Sequence, residues 1–332
     1  MSQVDRLRIS YFAQQERELK RLIDPKTGLL SKKFSRIISC PSCKTKKYEK
    51  IFVKRGYTFV RCKKCGLVYT NPQVKNELVE NFYSGKKSKA EKTTDMWHSI
   101  MLKERKSKWR SDYYNDLIKK IKNYKKKGSL LDIGCGIGQF LEVAKKNNFN
   151  THGLELSKVG YDFCIKNNIN VFQENIFSKN LKKNSFDIIT ALGVFEHLTN
   201  PLESMVRCRE LLKNKGLISL IVPNMYSLYN MILRDKSVTF DGKEHMIFFS
   251  MESLNYFLKQ LNFKILLHDT VLTGIPNIGR YLQFYDPYID INSMEYIPNE
   301  IRNFFKKKTH NLEKMILKNN LGLRLRVIAQ KN

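Results

Sequence analysis

The chain has 332 residues, 42% of them hydrophobic, and a formal net charge of +29. No apolar run nears the ~18 residues of a membrane span, and the mixed, charged start from Met1 to Tyr11 lacks a secretory apolar region; a cytoplasmic protein with a sizeable core is expected. The charge is uneven, +22 over residues 1–128 and +7 over 129–332, so the front of the chain suggests an anionic partner such as nucleic acid, a phosphorylated metabolite or a membrane surface, although lysine and asparagine are plentiful throughout.

Residues 3–22 read as a helix, closed by Asp24-Pro25-Lys26-Thr27-Gly28. Two cysteine pairs follow, Cys40-Pro41-Ser42-Cys43 and Cys62-Lys63-Lys64-Cys65, separated by 18 residues. That spacing matches a zinc signature. Four thiolates complete a tetrahedral site with no open position, so Zn2+ would be structural; iron in the same cage is the alternative. The finger between the pairs is basic and aromatic: Lys44, Lys46, Lys47, Tyr48, Lys50, Phe52, Lys54, Arg55, Tyr57, Phe59, Arg61. It fits an RNA-binding ribbon, with charges for phosphates and rings for bases. Equally, its lysines offset thiolate charge and its rings form the core of a small unit. The unit ends at Asn71-Pro72. The remaining cysteines, Cys135, Cys164 and Cys208, are scattered, which suits a reducing compartment. Residues 86–127 read as helix, with Trp97, Ile100, Met101, Trp109, Tyr113, Leu117 and Ile121 as its buried stripe.

From Gly128 onward strands and helices alternate. Strands are expected at 129–133, 151–155, 169–173, 186–192, 216–222, 263–271 and 323–329. Helices between the first five argue for βαβ units, an α/β fold and a mainly parallel sheet. Asn200 is the expected N-cap of a helix over 201–213, with Pro201 at its first position and Glu203 in capping-box spacing. Ser250 is the expected cap of a helix over 251–261.

The first of these strands runs into Asp132-Ile133-Gly134-Cys135-Gly136-Ile137-Gly138. Three glycines without Cβ atoms let a ligand approach the backbone. Asp132 sets a carboxylate beside the turn, and Glu155 ends the second strand, 17 residues past Gly138. A carboxylate there accepts hydrogen bonds from ribose hydroxyls. A dinucleotide site uses the same geometry, but Asp132 would repel a pyrophosphate and attract an ammonium or sulfonium.

Residues 128–225 resemble the core of the Rossmann-like class I S-adenosylmethionine-dependent methyltransferases. The matching pieces are Leu131–Gly138, Gly153-Leu154-Glu155-Leu156-Ser157, Ser185-Phe186-Asp187-Ile188-Ile189, Val194-Phe195-Glu196-His197-Leu198 and Leu211-Leu212-Lys213-Asn214-Lys215-Gly216. The resemblance implies a seven-stranded sheet and the cofactor S-adenosyl-L-methionine. It assigns Asp132, Gly134, Cys135, Gly136 and Gly138 to the methionine part and Glu155 to the ribose. Gln173, Asn175 and Ile176 fall near the adenine, and Leu156, Leu192 and Gly193 complete the cofactor-binding set. Asn175 stands where the family often has Asp. Some quinone-pathway O-methyltransferases, which the Glu196-His197 region also resembles, carry an extra Glu three residues earlier and use the cluster with a metal. Gly193 stands there, so no metal is expected at that pair.

Removing a proton from a hydroxyl or activated-carbon acceptor calls for a general base, most often His. His245, in Lys243-Glu244-His245-Met246-Ile247-Phe248-Phe249-Ser250, follows the fifth strand on the edge where an acceptor would enter. The segment resembles a Glu-His stretch of sugar C-methyltransferases implicated in proton removal. His245 is therefore the expected base, with Glu244 in support and His197 as second candidate. Tyr226, Tyr229, Phe248, Phe249 and Tyr281 are expected to line an acceptor pocket. The ribbon ending Cys65-Gly66-Leu67-Val68-Tyr69-Thr70-Asn71-Pro72 is similar to those of methyltransferases of sugar and surface-polysaccharide biosynthesis; residues 270–332 do not resemble the long C-terminal domain of the C-methyltransferases.

The organisation expected is a helical arm (1–39), a zinc-binding ribbon (40–72), a helical connector (73–127) and a methyltransferase domain (128–332) with an acceptor-side insertion at 224–250. The acceptor implied by resemblance is a small molecule, a sugar or nucleotide-sugar, methylated on O or C. RNA methylation and a non-catalytic binding protein are the alternatives.

Overall fold

The computed structural model describes residues 3–79, 93–275, 278 and 310–332. Tyr281 and the first part of the 86–127 segment lie outside them. Helix α1 (Gln3–Leu22) leads into two short strands, β1 (Ser35–Arg36) and, further on, β5 (Gln73–Val74), which pair with each other. Between them β2 (Tyr48–Lys54), β3 (Tyr57–Cys62) and β4 (Val68–Thr70) form an antiparallel ribbon.

The 86–127 stretch holds two helices rather than one, α2 (Thr93–Glu104) and α3 (Lys108–Lys122). Ile100, Leu117 and Ile121 are buried as the stripe requires, but Trp97 and Trp109 are exposed. Trp97 meets the Tyr11 ring of α1, and Trp109 lies under the Arg110 guanidinium.

The main sheet comprises β6 (Gly128–Ile133), β7 (Phe149–Leu154), β8 (Val171–Phe172), β9 (Phe186–Leu192), β10 (Leu212–Pro223), β12 (Phe263–Val271) and β13 (Arg324–Lys331). Its order is β12-β13-β10-β9-β6-β7-β8. The seven expected strands are all present, and β13 runs antiparallel between β10 and β12. The third strand is only two residues long, following α5 (Lys158–Lys166), with the Asn170 carbonyl just before it accepting from the Gly153 N–H of β7 at 2.9 Å.

Alternation along each strand serves two cores. Leu131, Ile189, Ile218, Leu220 and Val327 face one side and pack with α6 (Pro201–Leu211) and, beyond the short α7 (Leu228–Leu233), with α8 (Met251–Lys259). Leu130, Ile188, Leu217, Ile221 and Ile328 face the other and pack with α3 and with α4 (Gln139–Lys146). Each such fully buried side chain contributes about 1.5–3 kcal/mol. Ser250 caps α8 as expected, in a reciprocal box with Ser253. Asn200 sits at the N-cap of α6 without a side-chain cap hydrogen bond; Pro201 at the first position has no N–H to satisfy, and the Asn200 carbonyl accepts from Ser204.

The ribbon does not stand apart. The short strand β11 (Ile247–Phe248), from the 224–250 segment, pairs antiparallel with β4 and makes the ribbon four-stranded, in the order β11-β4-β3-β2. Tyr57, Phe59, Tyr69, Phe240, Phe248 and Phe249 are buried in the same core as α6 and α8. No helix among the described residues is long and apolar enough to cross a membrane.

Candidate active site

The C-terminal ends of the parallel strands carry two clusters. The first surrounds the glycine turn after β6. Asp132 is buried, and Oδ1 accepts a 2.6 Å hydrogen bond from the Thr190 hydroxyl on β9. Burial raises its carboxyl to about 7; the Thr190 bond opposes the rise, and the nearby Glu155 charge adds to it. Glu155, expected to face a ribose, braces the turn: Oε2 accepts from the Gly136 N–H at 2.7 Å and Oε1 from the Ser157 N–H at 2.8 Å. Each oxygen keeps a further lone pair for a ligand hydroxyl.

Helix α2 lies across this turn. Gly136 adopts φ +57°, and a Cβ there would come within 3.0 Å of the Met101 methyl. Gln139 Nε2 donates to the Arg105 carbonyl at 3.0 Å, and Arg105 pairs with Glu142, so the end of α2 is fastened to α4. Gly134 is exposed but equally confined, since a Cβ there would come within 2.8 Å of a Val194 methyl. Further along the edge, Ile176 is buried, and exposed Asn175 accepts from the Phe177 N–H in a local turn. Gly193 closes β9, its N–H bound to the Ile221 carbonyl at 2.8 Å. Met101, expected only as part of a buried stripe, and Arg105, which no motif marked, are brought to the turn by the packing of α2.

The second cluster brings Glu196 and His197 together with the 241–246 loop, which lies far along the chain. Glu196 and His197 lie on the 3-10 turn Phe195–His197 after β9. The Met246 N–H donates to the Glu196 carbonyl at 2.9 Å, and His197 Nδ1 lies 2.9 Å from the Glu244 carbonyl. His245 is thereby held between two clamped neighbours, its ring centroid 4.8 Å from that of His197. A carbonyl only accepts, so His197 Nδ1 carries the proton. The same logic applies to His245, whose Nδ1 faces the Thr239 carbonyl at 3.0 Å and Asp241 Oδ2 at 3.4 Å. In each neutral ring Nε2 is then the basic nitrogen.

The carboxylate beside His245 is Asp241, not Glu244. Asp241 Oδ1 also accepts from the N–H groups of Lys243 at 2.9 Å, Glu244 at 2.6 Å and His245 at 3.2 Å, which fixes the loop. The Glu244 carboxylate turns away and accepts from the Tyr11 hydroxyl of α1 at 3.0 Å. Adjacent residues in this tight turn point in different directions, so the sequence neighbour is not the spatial one. The Asp-Gly turn at 241–242 was the available signal for Asp241.

Glu196 is fully buried; Arg324 lies 3.3 Å from Oε1, and Oε2 has no hydrogen-bond partner. Burial raises its carboxyl, against the pull of Arg324 and His245. Burial, reinforced by His245, lowers His197 well below the usual imidazole range. Glu196, His197 and His245 offer ligand atoms within 4.8 Å of one another, a donor set able to hold a metal ion, although the Arg324 charge on Glu196 opposes one. Of the expected pocket aromatics among the described residues, Phe248 and Phe249 are core, Tyr229 packs with Leu233 and Ile278, and Tyr226 is exposed. Phe248 and Phe249 are withdrawn because β11 joins the ribbon sheet.

The third cluster is the cysteine site. The sulfurs of Cys40 and Cys65 lie 3.6 Å apart, those of Cys43 and Cys62 3.4 Å, and all four fall within 4.8 Å. Zn–S bonds of about 2.3 Å in a tetrahedron require sulfurs about 3.8 Å apart, so the four thiols fit such an ion. Three of the finger's rings belong to the core, Tyr57 and Phe59 fully buried and Phe52 stacked on Phe59 at 4.6 Å, while Tyr48 is exposed.

Residues 101–268, half of the chain, match the family described as "Methyltransferase domain". An uncharacterized protein of Methanocaldococcus jannaschii is 37% identical over 113 residues, 34% of this chain and 48% of that one. The ubiquinone biosynthesis O-methyltransferase of Actinobacillus pleuropneumoniae is 26% identical over 131 residues, 36% of this chain and 53% of its own. The chain thus spans about half the length of the curated relatives it matches. A crystal structure of a SAM dependent methyltransferase from Archaeoglobus fulgidus is 24% identical with a TM-score of 0.48, covering 71% of this chain and 99% of that one. The chain belongs to the methyltransferase-domain family.

Proposed function

From that membership we propose that the protein transfers a methyl group from S-adenosyl-L-methionine to a hydroxyl or activated carbon of a sugar or nucleotide-sugar. One observation carries the reading: an acid-lined glycine turn and a proton-accepting histidine cluster share one edge of the sheet. The cofactor, when bound, supplies an electrophilic methyl group on a sulfonium. Asp132 offers a buried carboxylate to its positive groups, which also speaks against a pyrophosphate-bearing dinucleotide. Glu155 and Leu156 serve the ribose, Asn175 and Ile176 the adenine end, and Leu192 and Gly193 the methionine end.

At the acceptor, His245 Nε2 takes the proton as the methyl group arrives, while Asp241 at Nδ1 stabilises the imidazolium. Glu196 and His197 add acceptor atoms that suit a molecule rich in hydroxyl groups. The four cysteines hold a structural Zn2+. All seven cysteines are free thiols, which fits a reducing, cytoplasmic setting. RNA remains the second acceptor, because Lys44, Lys46, Lys47, Lys50, Lys63 and Lys64 are exposed on the ribbon. Against it, the buried Tyr57 and Phe59 rings are unavailable to stack on bases.

The test supplies methyl-labelled cofactor and a cell extract. Label in small anionic metabolites supports the sugar reading, and label in nuclease-sensitive polymer with steep salt dependence replaces it by RNA. Failure of the protein to bind the cofactor in calorimetry sinks both.

A further inference from the structure

We propose that the four-cysteine ribbon is a positioning part of the acceptor site, so that metal loading of Cys40, Cys43, Cys62 and Cys65 governs the placement of His245 and not the cofactor turn. The inference rests on the reading of His245 as the base.

The path is short and runs mainly through backbone. Cys62 ends β3 and Cys65 lies in the turn to β4; the Cys62 N–H bonds the Leu67 carbonyl and the Gly66 N–H the Cys62 carbonyl. β4 then pairs with β11 in fixed register, Tyr69 with Ile247 and Val68 with Phe248. The Thr70 N–H also donates to the Met246 carbonyl at 3.0 Å. Met246 follows His245 directly, and its own N–H holds the Glu196 carbonyl. Three segments thus meet within two residues of His245.

Side chains reinforce the link from the other end of the same loop. Gly242 adopts φ +82° with the Tyr57 ring against it, where a Cβ would fall 2.4 Å from ring carbon Cγ. Phe240 packs on Phe52, Phe59 and Phe248 at centroid distances of 5.3, 5.8 and 5.1 Å. Lys54 of β2 donates to the Ser237 carbonyl. The 237–248 segment is therefore laid over the ribbon's face, whereas the glycine turn's own contacts run to α2, α5, β7 and Val194 after β9, none of them on the ribbon. A two-residue strand such as β11 lacks stability of its own, so its order depends on the strand beside it.

The experiment uses the full chain, loaded with zinc or stripped by a chelator under reducing conditions, with hydrogen exchange and S-adenosylhomocysteine calorimetry as readouts. Stripping should speed exchange at residues 244–249 by about tenfold or more, with affinity for S-adenosylhomocysteine kept within about threefold. Cys62→Ser should reproduce the stripped state, and Cys62→His, which keeps a zinc-binding ligand, should restore slow exchange. Unchanged exchange at 244–249 would overturn the proposal. So would an equal rise through β6 and β7, which would make the ribbon a general staple of the fold. Loss of S-adenosylhomocysteine binding by the loaded protein would instead strike the methyl-transfer reading and leave the link between ribbon and His245 standing.

Discussion

The two halves of the site are built in different ways. The carboxylates and glycines of the cofactor end, from Asp132 to Ser157, come from one stretch of chain within a βαβ unit, with Thr190 of β9 bonded to Asp132. The acceptor end joins the turn after β9, the 237–248 loop, the ribbon near the front of the chain and Arg324 near its end. A local motif constrains its own geometry through strand, turn and helix. An assembled cluster depends on every segment that supports it, so it should be the more easily deranged half.

The largest expected effect tests whether the halves are separable. His245→Ala should lower turnover about 10²–10⁴-fold, the usual worth of a general base, with S-adenosylhomocysteine affinity nearly unchanged. Turnover equal to the parent would remove His245 from the chemistry. The converse change, Asp132→Asn, should cost about 10–100-fold in cofactor affinity by loss of a charged hydrogen-bond partner, read by calorimetry.

Asp132 also gives the cofactor half its own pH signature. Its carboxyl, raised to about 7 by burial, holds its proton more tightly folded than unfolded. The resulting stability is fully present below the ordinary carboxylate value, near 4, and is lost as pH rises through about 7. A cationic ligand needs the ionised form, so its binding below pH 7 should release a proton and weaken as pH falls. Calorimetry in two buffers of different ionisation enthalpy measures that proton; none would be released if Asp132 does not meet the ligand. Asp132→Asn should abolish both effects.

Asp241→Asn addresses the acceptor half more gently. An amide oxygen still accepts from the loop's N–H groups, but the negative charge beside the imidazolium is gone. Turnover should fall about tenfold while affinity for S-adenosylhomocysteine holds. Turnover equal to the parent would reduce Asp241 to a loop fastener. The smallest effect concerns the lid on the cofactor turn. Gly136→Ala meets the Met101 methyl and a left-handed backbone, and should cost about 1–2 kcal/mol in thermal or urea unfolding. Met101→Ala in the same chain should return part of it; if it returns none, α2 does not press on the turn.

Hydrophobic alternation, the glycine turn and the capping residues were enough to read the α/β class, all seven strands of the main sheet and the positions of Asp132 and Glu155. These signals are local, since strand period, φ preference and caps act within a few residues. The paired cysteines were equally plain, because short turns bring their own thiols together. What the sequence alone did not determine is which neighbour each side chain meets. Glu244 looked like the partner of His245, yet the tight turn sends its carboxylate to Tyr11 and leaves Asp241 beside the ring. Phe248 and Phe249 looked like pocket walls until β11 paired with β4. Only the tertiary structure decided these, because long-range strand pairing and helix packing set side-chain direction, and no local preference encodes them.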